Sequence, residues 1–282
     1  MLIFNNRAEL QKHLTPLKRQ KKTIGFVPTM GALHQGHLSL INRSLSENDV
    51  TVMSIFVNPT QFNNPEDLEK YPRTLESDIA KIQTISNEVL VYAPSVNDIY
   101  GNKAESDHFS FDGLEDQMEG QHRPGHFDGV GTIVKKLFQI TTADKAYFGE
   151  KDFQQLQIVK KLVEKEQLPI QIIGCPIYRE KSGLAMSSRN ERLSTASREK
   201  AAIIYQILQE AKQLFSKSSA LEVIAFVETA FERHPEFTLE YFEIADEATL
   251  LPIETKDPQK NYRGFIAIFI DNIRLIDNIS MK

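Results

Sequence analysis

The sequence predicts an α/β fold: a doubly wound, Rossmann-like parallel sheet followed by a second, smaller α+β domain. Three observations predict it. Short β-branched runs alternate with stretches of helical periodicity as far as about residue 176. Beyond that point the order changes to amphipathic helices followed by strands. The 282 residues also exceed what one small core requires. The expected domains are residues 1–176 and 177–282.

The first clear strand is "TIGFV" at 23–27 and the next is "VTVMSIFV" at 50–57, with a helix between them. That helix begins near Gly36-His37 and carries Leu38, Ile41 and Leu45 at helical spacing. Strand, helix and strand in this order form a βαβ unit, whose crossover makes the strands parallel. A helical stretch at 67–85, interrupted by Pro72, leads to the strand "EVLVYAP" at 88–94. Residues 95–129 are rich in turn formers and show little periodicity. A helix at 130–141, a strand at 145–150, a helix at 152–167 and a strand at 170–176 complete the alternation. In such a sheet, ligands bind at the carboxyl ends of the strands.

In the second domain, residues 194–215 carry Ile203, Ile204, Ile207, Leu208, Ala211, Leu214 and Phe215 as one apolar stripe, with Ser194 or Thr195 as the cap. A helix at 220–234 follows, then a strand at 238–245 and a hairpin pairing 265–270 with 273–277 around Asp271-Asn272.

The net charge of −5 argues against a bulk electrostatic grip on nucleic acid or an anionic membrane. Cys175 is the single cysteine, so no intrachain disulfide and no cysteine-based zinc site is expected. No apolar run approaches the ~18 residues that span a bilayer, and the opening "MLIFNNRAELQKHL" turns charged too early for a signal peptide. A cytoplasmic location is the default expectation.

The segment with the most chemistry is "PTMGALHQGHLSLI" at 28–41. His34 and His37 are open to three readings: packing or capping, a metal, and a phosphate. Neighbouring cysteine or acidic ligands for a metal are lacking. The phosphate reading fits the surroundings best, because Gly31 lets backbone approach a ligand and the following helix N-terminus favours an anion. Far downstream, "AMSSRN" at 185–190 offers two hydroxyls and a guanidinium at the proposed domain boundary.

"HQGH" resembles the HxGH signature of the nucleotidyltransferase superfamily, and "AMSSRN" resembles the loop that closes on ATP in that superfamily. Together with "MSIFVNPTQF", "YPRTLESD", "RPGHFDGV" and "FGEKDFQQL", the chain resembles the pantothenate synthetase (pantoate–β-alanine ligase) family over essentially its whole length. The resemblance implies ATP-dependent joining of pantoate to β-alanine through a pantoyl adenylate, with Mg²⁺, in a cytoplasmic homodimer that involves neither nucleic acid nor membrane. It makes residues 1–176 the nucleotide- and pantoate-binding domain and 177–282 a lid. It assigns ATP to Met30, Gly31, Ala32, Leu33, His34, Gln35, Gly36 and His37, to Gly149, Glu150, Lys151 and Asp152, and to Tyr178, Met186, Ser187, Ser188 and Arg189. His37, His34 and Lys151 are the implied catalytic groups, and Gln61 and Gln155 the implied pantoate ligands. Asn58, Arg123 and His126 are possible neighbours of that site, and Asp78 is a candidate Mg²⁺ ligand. Gln35 replaces a frequently acidic residue and should point outward, whereas Tyr178 replaces a smaller aliphatic one near the adenine.

Overall fold

A computed structural model describes residues 1–63 and 65–282. It divides into two compact units, residues 1–150 with 154–176, and residues 177–282 with the short stretch Lys151–Phe153.

The first unit holds a six-stranded parallel sheet in the order β1-β4-β3-β2-β5-β6. Its strands are β1 (Leu2–Phe4), β2 (Ile24–Thr29), β3 (Val50–Ile55), β4 (Leu90–Tyr92), β5 (Lys145–Gly149) and β6 (Gln171–Cys175). Strand β1 and the helix after it, α1 (Arg7–Arg19), precede the first strand expected from the sequence. The histidine pair therefore follows the second strand of the sheet and not the first.

Helix α2 (Gln35–Glu47) crosses from β2 to β3. It starts one residue earlier than its apolar periodicity suggests, with His34 in extended backbone as its N-cap. Its far end is tied to β5: the Tyr147 hydroxyl donates to Glu47 at 2.9 Å, and the Asn48 amide donates to that hydroxyl at 2.7 Å. Burial pushes the Tyr147 phenol up to about 12, so it remains a proton donor. Phe26, Met53 and Tyr147 are fully buried, each such side chain stabilising the fold by roughly 1.5–3 kcal/mol.

The stretch interrupted by Pro72 forms α3 (Pro65–Glu69) and α4 (Leu75–Gln83). The loosely patterned region contains α5 (Val96–Tyr100) and α6 (Glu119–His122), and α7 (His126–Thr141) begins four residues before the periodic segment. Glycine at 129 lets α7 lie against the 3-10 turn Pro59–Gln61: a Cβ there would come within 2.4 Å of the Thr60 carbonyl oxygen. Helix α8 (Phe153–Lys165) connects β5 to β6.

In the second unit the predicted long helix is two, α9 (Thr195–Lys200) and α10 (Ile203–Phe215), and Ser194 caps the first by accepting from the Ser197 amide at 3.1 Å. Helix α11 (Ala220–Glu232) follows, then an antiparallel sheet of β7 (Phe237–Asp246), β8 (Tyr262–Ile270) and β9 (Ile273–Ser280). Asp271 and Asn272 both adopt positive φ, 51° and 58°, as a tight two-residue hairpin requires. The α10 stripe buries Ile204, Ile207, Leu208, Ala211 and Phe215, while Ile203 and Leu214 lie at its margin.

Candidate active site

Strands β2 and β5 are neighbours, yet the chain leaves β2 for β3 on one side and reaches β5 only after winding through the other half of the sheet. Their carboxyl ends thus flank the topological switch point, where an open α/β sheet forms a binding crevice. Two of the sequence-predicted stretches, 30–37 and 149–150, leave from those ends.

Gly31 and Ala32 both have positive φ, 88° and 50°, and form a tight left-handed turn. Such backbone is disfavoured for alanine and persists only where its surroundings hold it. Here the holder is Asp78 on α4. Its carboxylate is fully buried and accepts from the Ala32 amide at 3.0 Å, the Leu33 amide at 2.7 Å and the Thr74 hydroxyl at 3.2 Å. One turn later, the Lys81 ammonium donates to the Leu33 carbonyl at 2.7 Å. The Ala32 and Leu33 amides are thus engaged within the protein, and both oxygens of Asp78, the candidate cation ligand, accept from the backbone.

The His34 backbone N–H donates to His37 Nδ1 at 3.3 Å, and the two rings lie 4.0 Å apart between centroids. Because Nδ1 is the acceptor, His37 is the neutral tautomer with its proton on Nε2, where it can donate to an oxyanion. Gln35 is exposed, as its outward position predicts, and Leu33 is buried. Helix α2 adds the positive end of its dipole at His34–His37.

At the end of β5, a Cβ on Gly149 would meet nothing within 4 Å, so open space lies beside the strand end. Glu150, Lys151 and Asp152 form a 3-10 turn.

A second cluster surrounds the 3-10 turn at 59–61. Gln61 is buried; its amide nitrogen lies 3.0 Å from Met30 Sδ and its oxygen accepts from Asn58 at 3.1 Å. Asn58 also donates to the Gly129 carbonyl at 3.1 Å and accepts from the Tyr100 hydroxyl at 2.6 Å. Burial holds the Tyr100 phenol above its ordinary range, which keeps it a donor. His126 lies 2.9 Å from the Gln61 carbonyl oxygen, so its Nδ1 carries the proton, and Arg123 approaches the same oxygen at 3.5 Å. Asn58, Gln61, Arg123 and His126 therefore converge. Gln155 is half-buried on α8, whereas its neighbour Gln154 is buried and spends its amide on Leu114, Gln117 and Glu119.

Within the second unit, residues 178–186 fold back on themselves, with the Met186 amide donating to the Tyr178 carbonyl at 2.9 Å. The Tyr178 side chain is exposed. Ser187 caps the following 3-10 turn by accepting from the Arg189 amide at 3.2 Å, which leaves its hydroxyl proton available. Asn190 ties the loop to Glu180 at 2.9 Å, and the Arg198 guanidinium grips the same carboxylate at 2.9–3.2 Å. Burial raises the Glu180 pKa, but Arg198 and Asn190 outweigh it and hold the group below its ordinary range. Lys151 also belongs to this unit, its ammonium 3.4 Å from both Asp152 oxygens.

Among the described residues no three His, Cys, Asp or Glu side chains converge to hold a metal ion. No helix among them is long and apolar enough to cross a membrane.

A family model described as pantoate-beta-alanine ligase matches residues 2–280. The pantothenate synthetase of Flavobacterium psychrophilum is 61% identical over 282 residues, which is 100% of both chains. The crystal structure of the pantothenate synthetase from Thermus thermophilus matches with a TM-score of 0.91 at 39% identity, covering 100% of this chain and 99% of that one. The crystal structure of the pantoate-beta-alanine ligase from Francisella tularensis, complexed with beta-gamma ATP and beta-alanine, matches with a TM-score of 0.81 at 39% identity over 100% of this chain and 98% of that one.

Proposed function

Because the chain belongs to the pantoate-beta-alanine ligase family, we propose that it joins pantoate to β-alanine at the expense of ATP, through pantoyl adenylate. The observation that carries this reading is the His34–His37 pair on the N-terminus of α2, beside the carboxyl end of the central strand β2. A carboxylate acylates an amine poorly because oxide is a prohibitive leaving group. Attack by a pantoate carboxylate oxygen on the α-phosphorus forms a P–O bond and expels pyrophosphate. The amine of β-alanine then attacks the carbonyl carbon, AMP leaves with the bridging oxygen, and the amine gives up a proton.

The protein's part is positioning and charge neutralisation. His37 donates from Nε2 to the α-phosphate as negative charge builds there, and His34 lies beside it in the same role. Met30, Gly31, Ala32 and Leu33 form the wall of the turn, and Gly36 admits the nucleotide at the helix start. Gly149 and Asp152 serve the ribose side, with Glu150 beside them. Lys151, Ser187, Ser188 and Arg189 serve the polyphosphate, with Tyr178 and Met186 next to the base.

Gln61 and Gln155 take pantoate, since a neutral amide can both donate to a carboxylate and accept from a hydroxyl. Mg²⁺ enters with ATP and is held by the nucleotide's own phosphates, a reading supported by the engagement of Asp78 with backbone amides. Residues 177–282 act as a lid that keeps water from the anhydride. The family resemblance supports a cytoplasmic homodimer.

The test is turnover with pantoate labelled by ¹⁸O in its carboxylate. One label should appear in AMP, and ATP–pyrophosphate exchange should require pantoate. Formation of ADP and phosphate, or exchange supported by a different acid in its place, would overturn the reading.

A further inference from the structure

The stretch Lys151–Phe153 runs from the turn after β5 into the first residue of α8 but groups with the C-terminal unit. The contacts that bind it there come from the first half of β8 and the end of β9. Asn278 donates its side-chain amide to the Lys151 carbonyl oxygen at 2.9 Å, across 127 residues of sequence. The opposite face of that amide accepts from Arg263 Nη1 at 2.7 Å. This contact fixes which way the amide is turned, with nitrogen toward Lys151 and oxygen toward the guanidinium.

Arg263 is itself fixed by Glu247 at 2.9 Å and stacks 4.0 Å over the ring of Phe153, two residues beyond Lys151. The Phe153 ring packs on Phe265, the register partner of Asn278, at 6.0 Å between centroids. Asp277, next to Asn278, accepts two bonds from Arg179 at 2.6 and 2.9 Å and one from the Asn278 backbone N–H at 2.7 Å. Asn278, Arg263 and Phe153 are all buried.

We propose that Asn278, held in orientation by Arg263, is a positioning residue that sets the place of Lys151. The inference rests on the reading above, in which the Lys151 ammonium meets the ATP phosphates. A lysine side chain has four rotatable bonds, so its charge is useful in a transition state only if its backbone is fixed. Lys151 lies in a short 3-10 turn, whose own hydrogen bonds give little rigidity. The Asn278 amide holds it at the carbonyl, and the Arg263–Phe153 stack holds the chain two residues on.

The experiment is a double-mutant cycle on the full chain, read as kcat/KM for ATP in AMP release with pantoate and β-alanine present. Wild-type turnover and a loss in Lys151→Ala establish the underlying reading; an unimpaired Lys151→Ala removes that reading and the inference with it. Asn278→Asp keeps the oxygen that faces Arg263 but sets a second oxygen against the Lys151 carbonyl. Asn278→Ala removes both contacts.

Each Asn278 variant should lose roughly 10- to 100-fold while melting cooperatively. In the Lys151→Ala background either should cost no more than about twofold, because residues acting as one unit are not additive. Independent, multiplicative losses would assign Asn278 a general structural role and overturn the proposal. So would wild-type rates in Asn278→Asp, or loss of the cooperative melt in both variants.

Discussion

Replacing Asp78 by asparagine separates two jobs this carboxylate could have. In the structure it accepts the Leu33 amide at 2.7 Å and the Ala32 amide at 3.0 Å, with no exposure to solvent. An asparagine has one oxygen, so whichever way its amide is turned, an NH₂ faces one of the two backbone N–H groups. The variant loses one charge-assisted hydrogen bond and strands a buried donor, at a cost of about 2–4 kcal/mol. That corresponds to a fall of roughly 5–15 °C in the melting of the first unit. The turn at Gly31 and Ala32, at φ of 88° and 50°, is the part that relaxes, carrying the His34 cap with it. Adenylate formation should drop about 10-fold or more, since small displacements of positioned groups are expensive. Differential scanning calorimetry and ATP–pyrophosphate exchange at varied Mg²⁺ read both effects. The refuting result is an unchanged melt together with a many-fold higher Mg²⁺ requirement, which would put the cation on Asp78.

Three other outcomes follow from the geometry. His37→Ala should slow adenylate formation by roughly 10²- to 10⁴-fold with the melt retained, measured by pyrophosphate exchange; unchanged exchange removes His37 from the chemistry. Gly129→Ala forces a Cβ to 2.4 Å from the Thr60 carbonyl oxygen and 2.7 Å from Gln61 Cα, both backbone atoms that cannot turn aside. It should cost about 1–3 kcal/mol and raise the KM for pantoate, and a KM like wild type would detach Gln61 from pantoate. Glu180, held below its ordinary pKa of 4.5, stabilises the 185–190 loop fully above that pH and loses its hold as pH falls through the lowered value. Hydrogen-exchange protection of the loop, corrected for intrinsic rates, should stay flat from neutrality to pH 4.5 and fall below it, and Glu180→Gln should lack the step.

What can be read in advance is whatever is encoded locally. The alternation of β2, α2 and β3 shows in the periodicity of Leu38, Ile41 and Leu45, and the Asp271-Asn272 hairpin shows in its turn residues. Strand β1 gives no such signal because it is only three residues long, with Leu2 and Ile3 exposed at the sheet edge. Helix α1 contains Pro16, which reads as a stop. The break between α9 and α10 at Ala201-Ala202 has no breaker residue to announce it. Among the site residues, the motif at 34–37 and the Gln61 cluster are legible as residue types. Their supports are not, since Asp78 acts across 46 residues and Asn278 across 127.

On the proposed reading, those two supports solve the same problem, one in each unit. A group that stabilises developing charge must face the ligand, and so cannot be immobilised by burying its own polar end. The remaining option is to immobilise the backbone that carries it. Asp78 does this to a strained turn just ahead of His34, and Asn278 to the carbonyl of Lys151; both side chains are buried and come from distant elements. A buried polar side chain is costly unless its partners are satisfied, and here the partners are main-chain groups that secondary structure leaves available. The cost of burying Asp78 and Asn278 is therefore tied to where His34 and Lys151 sit. Loss of either support should lower the rate of adenylate formation more than it lowers the affinity for ATP, because binding tolerates a small displacement that a transition state does not.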